Sequence, residues 1–167
     1  MIKMRKLLLL IILISLIAVA IVINFVVFAN VNLYFIDIPN GTIFPQTVKL
    51  FNPKISLRLS TQHAIRYLNS PYGKSKVNVL PKNTKLKGIR VNNSTVIADF
   101  DEEFLNAEHW SGSDIAYLRL QALAYSLTSI CGAKRLKILV NGKTPPPLGG
   151  HEDVSKPIEL DQSLLRR

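Results

Sequence analysis

The sequence predicts an α+β protein preceded by a transmembrane helix. Residues 7–28 carry no charge and only two polar side chains, which predicts a membrane-spanning helix. Residues 86–100 alternate in polarity around an Asn-Asn-Ser turn, which predicts a β-hairpin. An apolar stripe at steps of three and four predicts a helix that ends at Gly132. When the shorter predicted strands and helix are added, the order of elements along the chain after the membrane helix is β-β-α-β-β-α-β. We interpret it as a two-layer sandwich with two helices on one face of a mostly antiparallel sheet.

The apolar N-terminal segment predicts a signal anchor. A helix of 22 residues is ~33 Å long and matches a hydrocarbon core of roughly 30 Å. Lys3, Arg5 and Lys6 precede it, and a basic flank stays in the cytoplasm. Ala18-Val19-Ala20 has the form of a signal-peptide cleavage site, but equally apolar residues follow it, so we favour an uncleaved anchor. We expect a single-pass cell-membrane protein with a cytoplasmic N-terminus and an extracytoplasmic domain.

Three parts are therefore expected along the chain. Residues 1–30 are the cytoplasmic basic flank and the anchor, residues 31–158 the extracytoplasmic domain, and residues 159–167 a C-terminal tail. One cysteine forms no internal disulfide, so the domain must be stabilised by its core alone.

The first half of the domain predicts two strands and a short helix. Residues 31–37 and 47–51 are rich in aromatic and β-branched residues, and a Pro-Asn-Gly turn follows the first of them. Ser60 or Thr61 is suited to cap a short helix, and Pro71 prevents that helix from continuing.

The second half predicts the hairpin, a helical turn, the long helix and a last strand. Asp101 is suited to cap a single turn over residues 101–105, and Ser111 to cap the long helix. Residues 136–140 then predict a strand that ends at Asn-Gly.

Charge is unevenly distributed in this basic chain, which has a net charge of +10. Ten basic residues and no acidic one lie between Ile38 and Ala98. We predict contacts with an anionic surface from Lys74, Lys76, Lys82, Lys85, Lys87 and Arg90. Because the domain is expected outside the membrane, nucleic acid is not the expected partner. Anionic lipid, a cell-wall polymer or an acidic protein fits better. A solvated lysine-rich face is an equally simple interpretation.

No arrangement of residues predicts catalysis, a cofactor or a metal site. A glycine-rich phosphate loop, a nucleophile elbow, paired cysteines and a His-Glu-x-x-His motif are all missing from the sequence. The carboxylates at positions 101–103 are adjacent and point in different directions. The protein is therefore not predicted to be an enzyme.

The sequence GGHED at positions 149–153 is interpreted as a structural turn. Three prolines precede it, and glycine adopts backbone angles that other residues avoid. Gly149, Gly150 and His151 are expected to reverse the chain so that Val154 and Ile158 pack back on the sheet. A site would need converging groups, and the sequence offers none nearby.

Five segments, taken in order, resemble the GerMN (sporulation and spore germination) domain. They are VNLYFID, YLNSP, LPKNTKLKGIRVNNSTVIADFDEEFLNA, AKRLKILVNGK and PLGGHEDVSKPI, which together span Val31 to Ile158. Two departures stand out. The lipoprotein cysteine of many relatives is replaced by a helical anchor, and Ser70 occupies a position where relatives often have glycine.

The resemblance implies a role in the cell envelope. GerMN domains are typically membrane-anchored on the outer side of Gram-positive cells, resemble ring-building modules, and are not known as enzymes. It implies a non-catalytic module for assembly or scaffolding in sporulation or germination, with other envelope proteins or further copies of itself as partners. The alternative is a binder of peptidoglycan or another anionic wall polymer through the basic span 49–90.

Overall fold

The computed structural model describes residues 2–166, and their side chains except at positions 2–4, 24 and 25. Its order of helices and strands confirms the predicted α+β class and the apolar helix at its start. The elements are α1 (Ile2–Val27), β1 (Phe28–Asp37), β2 (Thr42–Phe51), α2 (Leu57–Leu68), β3 (Leu86–Asn92), β4 (Thr95–Phe100), α3 (Ser113–Cys131), β5 (Arg135–Val140) and β6 (Ile158–Glu159).

Helix α1 is long and apolar enough to cross a membrane, and no other helix among residues 2–166 is. Its large apolar side chains from Leu7 to Ile23 are exposed to the surroundings rather than packed on the domain. The helix continues into β1 without a connecting loop, so the first strand begins at Phe28 and not at Val31.

Strands β1 and β2 form a regular antiparallel hairpin. The pairing runs from Phe28–Phe51 at the open end to Asp37–Thr42 at the turn. Gly41 closes this turn in the left-handed conformation, with φ of +60°. Strand β2 begins five residues earlier than expected and includes Pro45, which a two-stranded sheet tolerates because one side of each strand has no strand partner.

The remaining strands form a second sheet in the order β3-β4-β5-β6. The predicted β3–β4 hairpin is confirmed, and its tight turn places Asn93 and Ser94 at positive φ. Strands β4 and β5 are parallel, and α3 supplies the crossover that such a pair requires. The separation into two sheets is a feature that the strand patterns do not specify.

Helix α3 connects the two sheets and forms the centre of the core. It is buried continuously from Leu120 to Thr128, and it contacts strands of both sheets. The Ser126 hydroxyl accepts a hydrogen bond from the backbone N–H of Tyr34 in β1 and donates one to the carbonyl of Ala122. A polar residue in the middle of this helix therefore hydrogen-bonds to β1.

Two of the predicted helix caps, those of α2 and α3, differ from the observed ones. Ser56, not Ser60 or Thr61, caps α2 by accepting a hydrogen bond from the N–H of Leu59, because the helix begins at Leu57. Ser111 lies before the start of α3, and its hydroxyl donates to the carbonyl of Glu108.

The predicted helical turn after β4 is a 3-10 turn at Glu102–Leu105. Asp101 occupies the N-cap position, but its side chain makes no hydrogen bond to the turn. Its carboxylate instead accepts a hydrogen bond from the backbone N–H of Lys85. Gly132 ends α3 with φ of +62°, as expected.

The last residues of the chain pack against the first hairpin. Leu165 forms an isolated parallel bridge with Ile43, and the Arg166 guanidinium forms a 2.7 Å ion pair with Asp37 at the end of β1. The residues of the expected C-terminal tail that the structure describes thus supply Glu159 of β6 and the contacts of Leu165 and Arg166 with the first hairpin.

Candidate functional site

The six basic residues predicted to contact an anionic surface lie beside different elements. Lys74 and Lys76 border a cavity at the turn of the β1–β2 hairpin, next to Ile38 and Pro39. The other four follow one another along the loop before β3 and along β3 itself: Lys82, Lys85, Lys87 and Arg90. All six side chains are exposed.

Acidic residues lie close to the second basic group. The Lys87 ammonium donates to the side-chain oxygen of Asn141 at 2.7 Å, and the Asn141 amide donates to Glu102 at 3.1 Å. That hydrogen bond from Asn141, followed by a backbone hydrogen bond and the charges of Lys87 and Lys85, holds the pKa of Glu102 below its ordinary value. The part of the basic span around Lys85 and Lys87 is therefore a mixed surface in the fold. The reason is that β4 returns antiparallel to β3 and brings the acidic turn beside it.

A polar cavity of about 420 Å³ lies at the edge of this surface. Three chain segments that are distant in sequence form it: the loop before β3, the loop before α3, and α3 itself. Its lining consists of amides, two carboxylates, two cations and one imidazole, with a proline at its side: Asn78, Pro81, Lys82, Asn83, Glu103, Asn106, Glu108, His109 and Arg119.

Arg119 connects the two loops that form the cavity. It projects from α3, its Nη1 donates to the carbonyl of His109, and its Nε donates to the carbonyl of Asn78 at 3.3 Å. The side chain is half-buried, and burial lowers the pKa of its guanidinium. These contacts fix the positions of the loops on both sides of the cavity.

The His109 imidazole is neutral at physiological pH. Burial, and then the charge of Arg119, lower its pKa to about 4. Its Nε2 lies 3.1 Å from the carbonyl of Val79, and a carbonyl only accepts, so Nε2 carries the proton and Nδ1 is the acceptor. The neighbouring Trp110 is fully buried and donates from its indole N–H to the carbonyl of Phe104.

This arrangement suits the binding of a polar ligand. The cavity offers hydrogen-bond donors, acceptors and both signs of charge, which is the chemistry that recognises a polar ligand with hydroxyl or amide groups. Among the residues described, no cluster of three His, Cys, Asp or Glu side chains is arranged to hold a metal ion.

The GGHED segment forms a closed turn. The backbone groups of Leu148 and Glu152 exchange two hydrogen bonds, of 2.9 and 3.0 Å. Between them Gly149 and Gly150 adopt φ of +58° and +81°. His151 is exposed, and its Nδ1 lies 2.8 Å from the carbonyl of Gly149. Val154 packs in the core, as expected.

Asp153, the last residue of that segment, is also held locally. Its carboxylate accepts from the backbone N–H of Ser155 at 2.8 Å. Hydrogen bonds from Ser155 lower the pKa of this carboxyl below its ordinary value.

Sequence reasoning did not find the cavity. Its residues come from three separate segments, and none of them forms a motif. The available indication in the sequence was Arg119, because it is the one cation between Ser113 and Cys131.

A family model described as "Germane: Sporulation and spore germination" matches residues 32–145. The chain belongs to the Germane family. This confirms the GerMN resemblance inferred from the five segments, and it places the chain in a sporulation and spore germination family.

Solved structures share the Germane fold. A protein from Clostridium perfringens, described as a lipoprotein, is 26% identical, with a TM-score of 0.53 over 79% of this chain and 87% of that chain. The first GerMN domain of the sporulation protein GerM from Bacillus subtilis is 21% identical, with a TM-score of 0.57 over 81% of this chain and 98% of that domain.

The tandem GerMN domains of the same Bacillus protein also match the Germane chain. The identity is 21% and the TM-score 0.59, over 79% of this chain and 46% of the tandem structure. The chain thus spans about half the length of that relative. No curated protein sequence matches the chain.

Proposed function

We propose that the protein is a non-catalytic, membrane-anchored module for assembly or scaffolding at the cell envelope in sporulation or germination. Family membership over residues 32–145 carries this proposal. Helix α1 supplies the anchor, and the basic flank Lys3, Arg5 and Lys6 favours a cytoplasmic N-terminus with the domain outside.

The second sheet offers a surface for assembly. Strand β3 forms one edge of that sheet, and an edge strand can pair with a strand of another chain. Arg90, Val91 and Asn92 at its end are exposed, and the strand also carries Lys87. An acidic extended segment of another envelope protein, or a further copy that pairs through a different edge, fits these charges.

A complementation experiment in the native host tests the proposal. A strain that lacks the protein should produce fewer heat-resistant spores or germinate more slowly. The full chain should restore the phenotype, whereas the same domain secreted without α1 should not. Full rescue by the secreted domain would contradict the need for an anchor. In protoplasts of the rescued strain, added protease should degrade the domain, and protection of the whole chain would contradict the orientation.

The polar cavity favours a second candidate, binding of cell-wall glycan or another anionic wall polymer. Amides, carboxylates and cations converge in it beside Lys82, which belongs to the basic span 49–90. Co-sedimentation of the full chain in detergent with purified peptidoglycan separates the two candidates. Retention that Arg119→Gln and Asn106→Ala both abolish would support the glycan binder. No retention, together with concentration-dependent self-association in sedimentation velocity, would support assembly.

A further inference from the structure

The join between α1 and the domain is fixed by hydrogen bonds from Asn52. Its backbone N–H donates to the carbonyl of Val27 at 2.8 Å, and its side-chain amide donates to the carbonyl of Val26 at 2.9 Å. Both acceptors belong to the last turn of α1, where carbonyl groups have no partner within the helix. The open end of the β1–β2 hairpin therefore lies against the end of the apolar helix.

Exposed apolar and basic side chains alternate immediately after Asn52. Ile55 and Leu59 are 52% and 49% exposed, and Lys54 and Arg58 beside them are exposed as well. Backbone hydrogen bonds from the N–H groups of Ile55 and Ser56 to the carbonyl of Asn52 hold this turn next to the join. Apolar side chains flanked by cations are the composition of segments that lie in a membrane interface.

The position of this turn relative to a bilayer follows from the length of α1. The apolar run of α1 continues through Val27 and ends at Phe28, the first residue of β1. The headgroup layer on each side of a bilayer is roughly 5–8 Å thick. Asn52, bonded to Val26 and Val27, therefore lies where the hydrocarbon core meets the headgroups, and Ile55 follows it by three residues.

We propose that Lys54, Ile55, Arg58 and Leu59 form a membrane-docking face that contacts anionic phospholipid beside α1. The inference rests on the proposed insertion of α1. Ile55 and Leu59 enter the boundary between headgroups and acyl chains, while Lys54 and Arg58 contact lipid phosphates. Lipid is favoured over a protein partner because the face is joined to the end of α1 through Asn52, and because its two charged side chains are both cations.

Spin labels on the full chain in lipid nanodiscs test the proposal. A label at Ile55→Cys is compared with one at Ile38→Cys, which is 49% exposed at the other end of the hairpin. Ten residues of strand separate the two ends by ~33 Å. The native chain serves as a blank, because burial raises the pKa of the Cys131 thiol to about 12 and suppresses its labelling.

In nanodiscs with phosphatidylglycerol, the label at position 55 should collide severalfold more with oxygen than with a polar nickel complex. The label at position 38 should show the reverse preference. Equal behaviour of both labels, with the protein retained in the discs, overturns the docking face and leaves the anchor intact. Loss of the protein from the discs overturns both. Burial of position 55 only after other envelope proteins are added assigns the face to a protein and overturns the lipid proposal.

A charge-reversal pair tests the contribution of the cations. Lys54→Glu with Arg58→Glu should reduce the immersion of the label at position 55 in anionic discs, and high salt should do the same to the unmodified face. Lys82→Glu with Lys85→Glu changes the net charge equally at a distant surface and should leave the immersion unchanged. An equal reduction by both pairs would show an effect of total charge and overturn the local face.

Discussion

Gly149 lies so close to the backbone carbonyl of Trp110 that a Cβ atom at position 149 would overlap it. Trp110 is fully buried and packs against Phe104 with ring centroids 5.2 Å apart. The turn before His151 is therefore pressed against the core at the start of α3. By contrast, a Cβ at Gly150 would meet no atom within 4 Å.

The two glycines should differ in their tolerance of substitution. Gly150→Ala should cost about 1–2 kcal/mol, the usual penalty of a left-handed backbone for a residue with a Cβ. Gly149→Ala should cost clearly more, because the same backbone strain is added to an overlap with a carbonyl that cannot move freely. Chemical denaturation of both full-length variants in detergent measures the difference. Equal losses would mean that Trp110 shifts readily, contrary to the packing described.

His151→Ala should change stability little. Its imidazole is exposed and lies near a carbonyl only two residues away, so the expected change in the free energy of unfolding is within about 0.5 kcal/mol. Thermal melts check this, and a sporulation or germination assay of the same variant checks function. A variant that melts normally and loses all function would show that GGHED is a functional site rather than a structural turn.

His109 should make stability decrease in mildly acidic solution. Its pKa is about 4 in the folded chain and ~6.5 when unfolded, so unfolding takes up a proton below pH ~6.5. The stabilisation is complete above that pH and is lost as the pH falls toward the folded value. His109→Gln should flatten the dependence between pH ~6.5 and ~5, whereas His151→Gln should preserve it. Denaturation midpoints measured across this pH window test the prediction. If the midpoints of His109→Gln depend on pH as steeply as those of the native chain, His109 is not the source of the dependence.

Charge reversal in the basic span should weaken adsorption to anionic material. Lys82→Glu, Lys85→Glu and Lys87→Glu together should reduce retention of the full chain on wall fragments at low salt. Attraction of this kind should also fade at 1 M salt, where the Debye length is ~3 Å. Reversal of Lys134, Lys143 and Lys156, which are exposed and lie outside the basic span, changes the net charge equally and provides a matched control. Undiminished retention of the triple variant at low salt would leave the basic residues as a solvated face.

Ser56 and Ser60 should respond oppositely to alanine. Ser56→Ala removes the cap of α2 and should cost about 1 kcal/mol. Ser60 is fully buried, and its hydroxyl has no hydrogen-bond partner, so Ser60→Ala should be neutral or slightly stabilising. Urea unfolding of both variants measures this, and a larger loss for Ser60→Ala would show that its buried hydroxyl is hydrogen-bonded, contrary to the structure.

Local chemistry explains which parts of the fold the sequence predicts. The β3–β4 hairpin depends on the turn residues Asn93 and Ser94, and the end of α3 depends on Gly132, so both are visible in short segments. The sequence does not reveal the start of α2, because Ile55, Leu57 and Leu59 alternate like a strand and hide the cap Ser56 that lies among them. The separation into two sheets depends on contacts of α3 with distant strands, which no local pattern encodes.

The same distinction applies to the candidate site. The basic side chains were identifiable in the sequence, but the nearness of Glu102 to Lys87 was not. Glu102 approaches Lys87 only through the pairing of the hairpin and through Asn141. The polar cavity requires Asn78 to meet His109 and Arg119, and Arg119 lies 41 residues beyond Asn78. Such convergence is a property of the packed chain.

The direct passage from α1 into β1 also limits where the protein can act. A flexible linker would let a domain reach a volume that grows with the length of the linker. Here no linker separates Val27 at the end of α1 from Phe28 at the start of β1. With α1 in a bilayer, the domain would reach no further than its own height. Its partners would have to be neighbours in the same membrane or structures that come to it. A domain whose tilt is already restricted loses less rotational freedom when it binds a neighbour. This smaller entropy cost favours lateral contacts with other proteins in the same membrane.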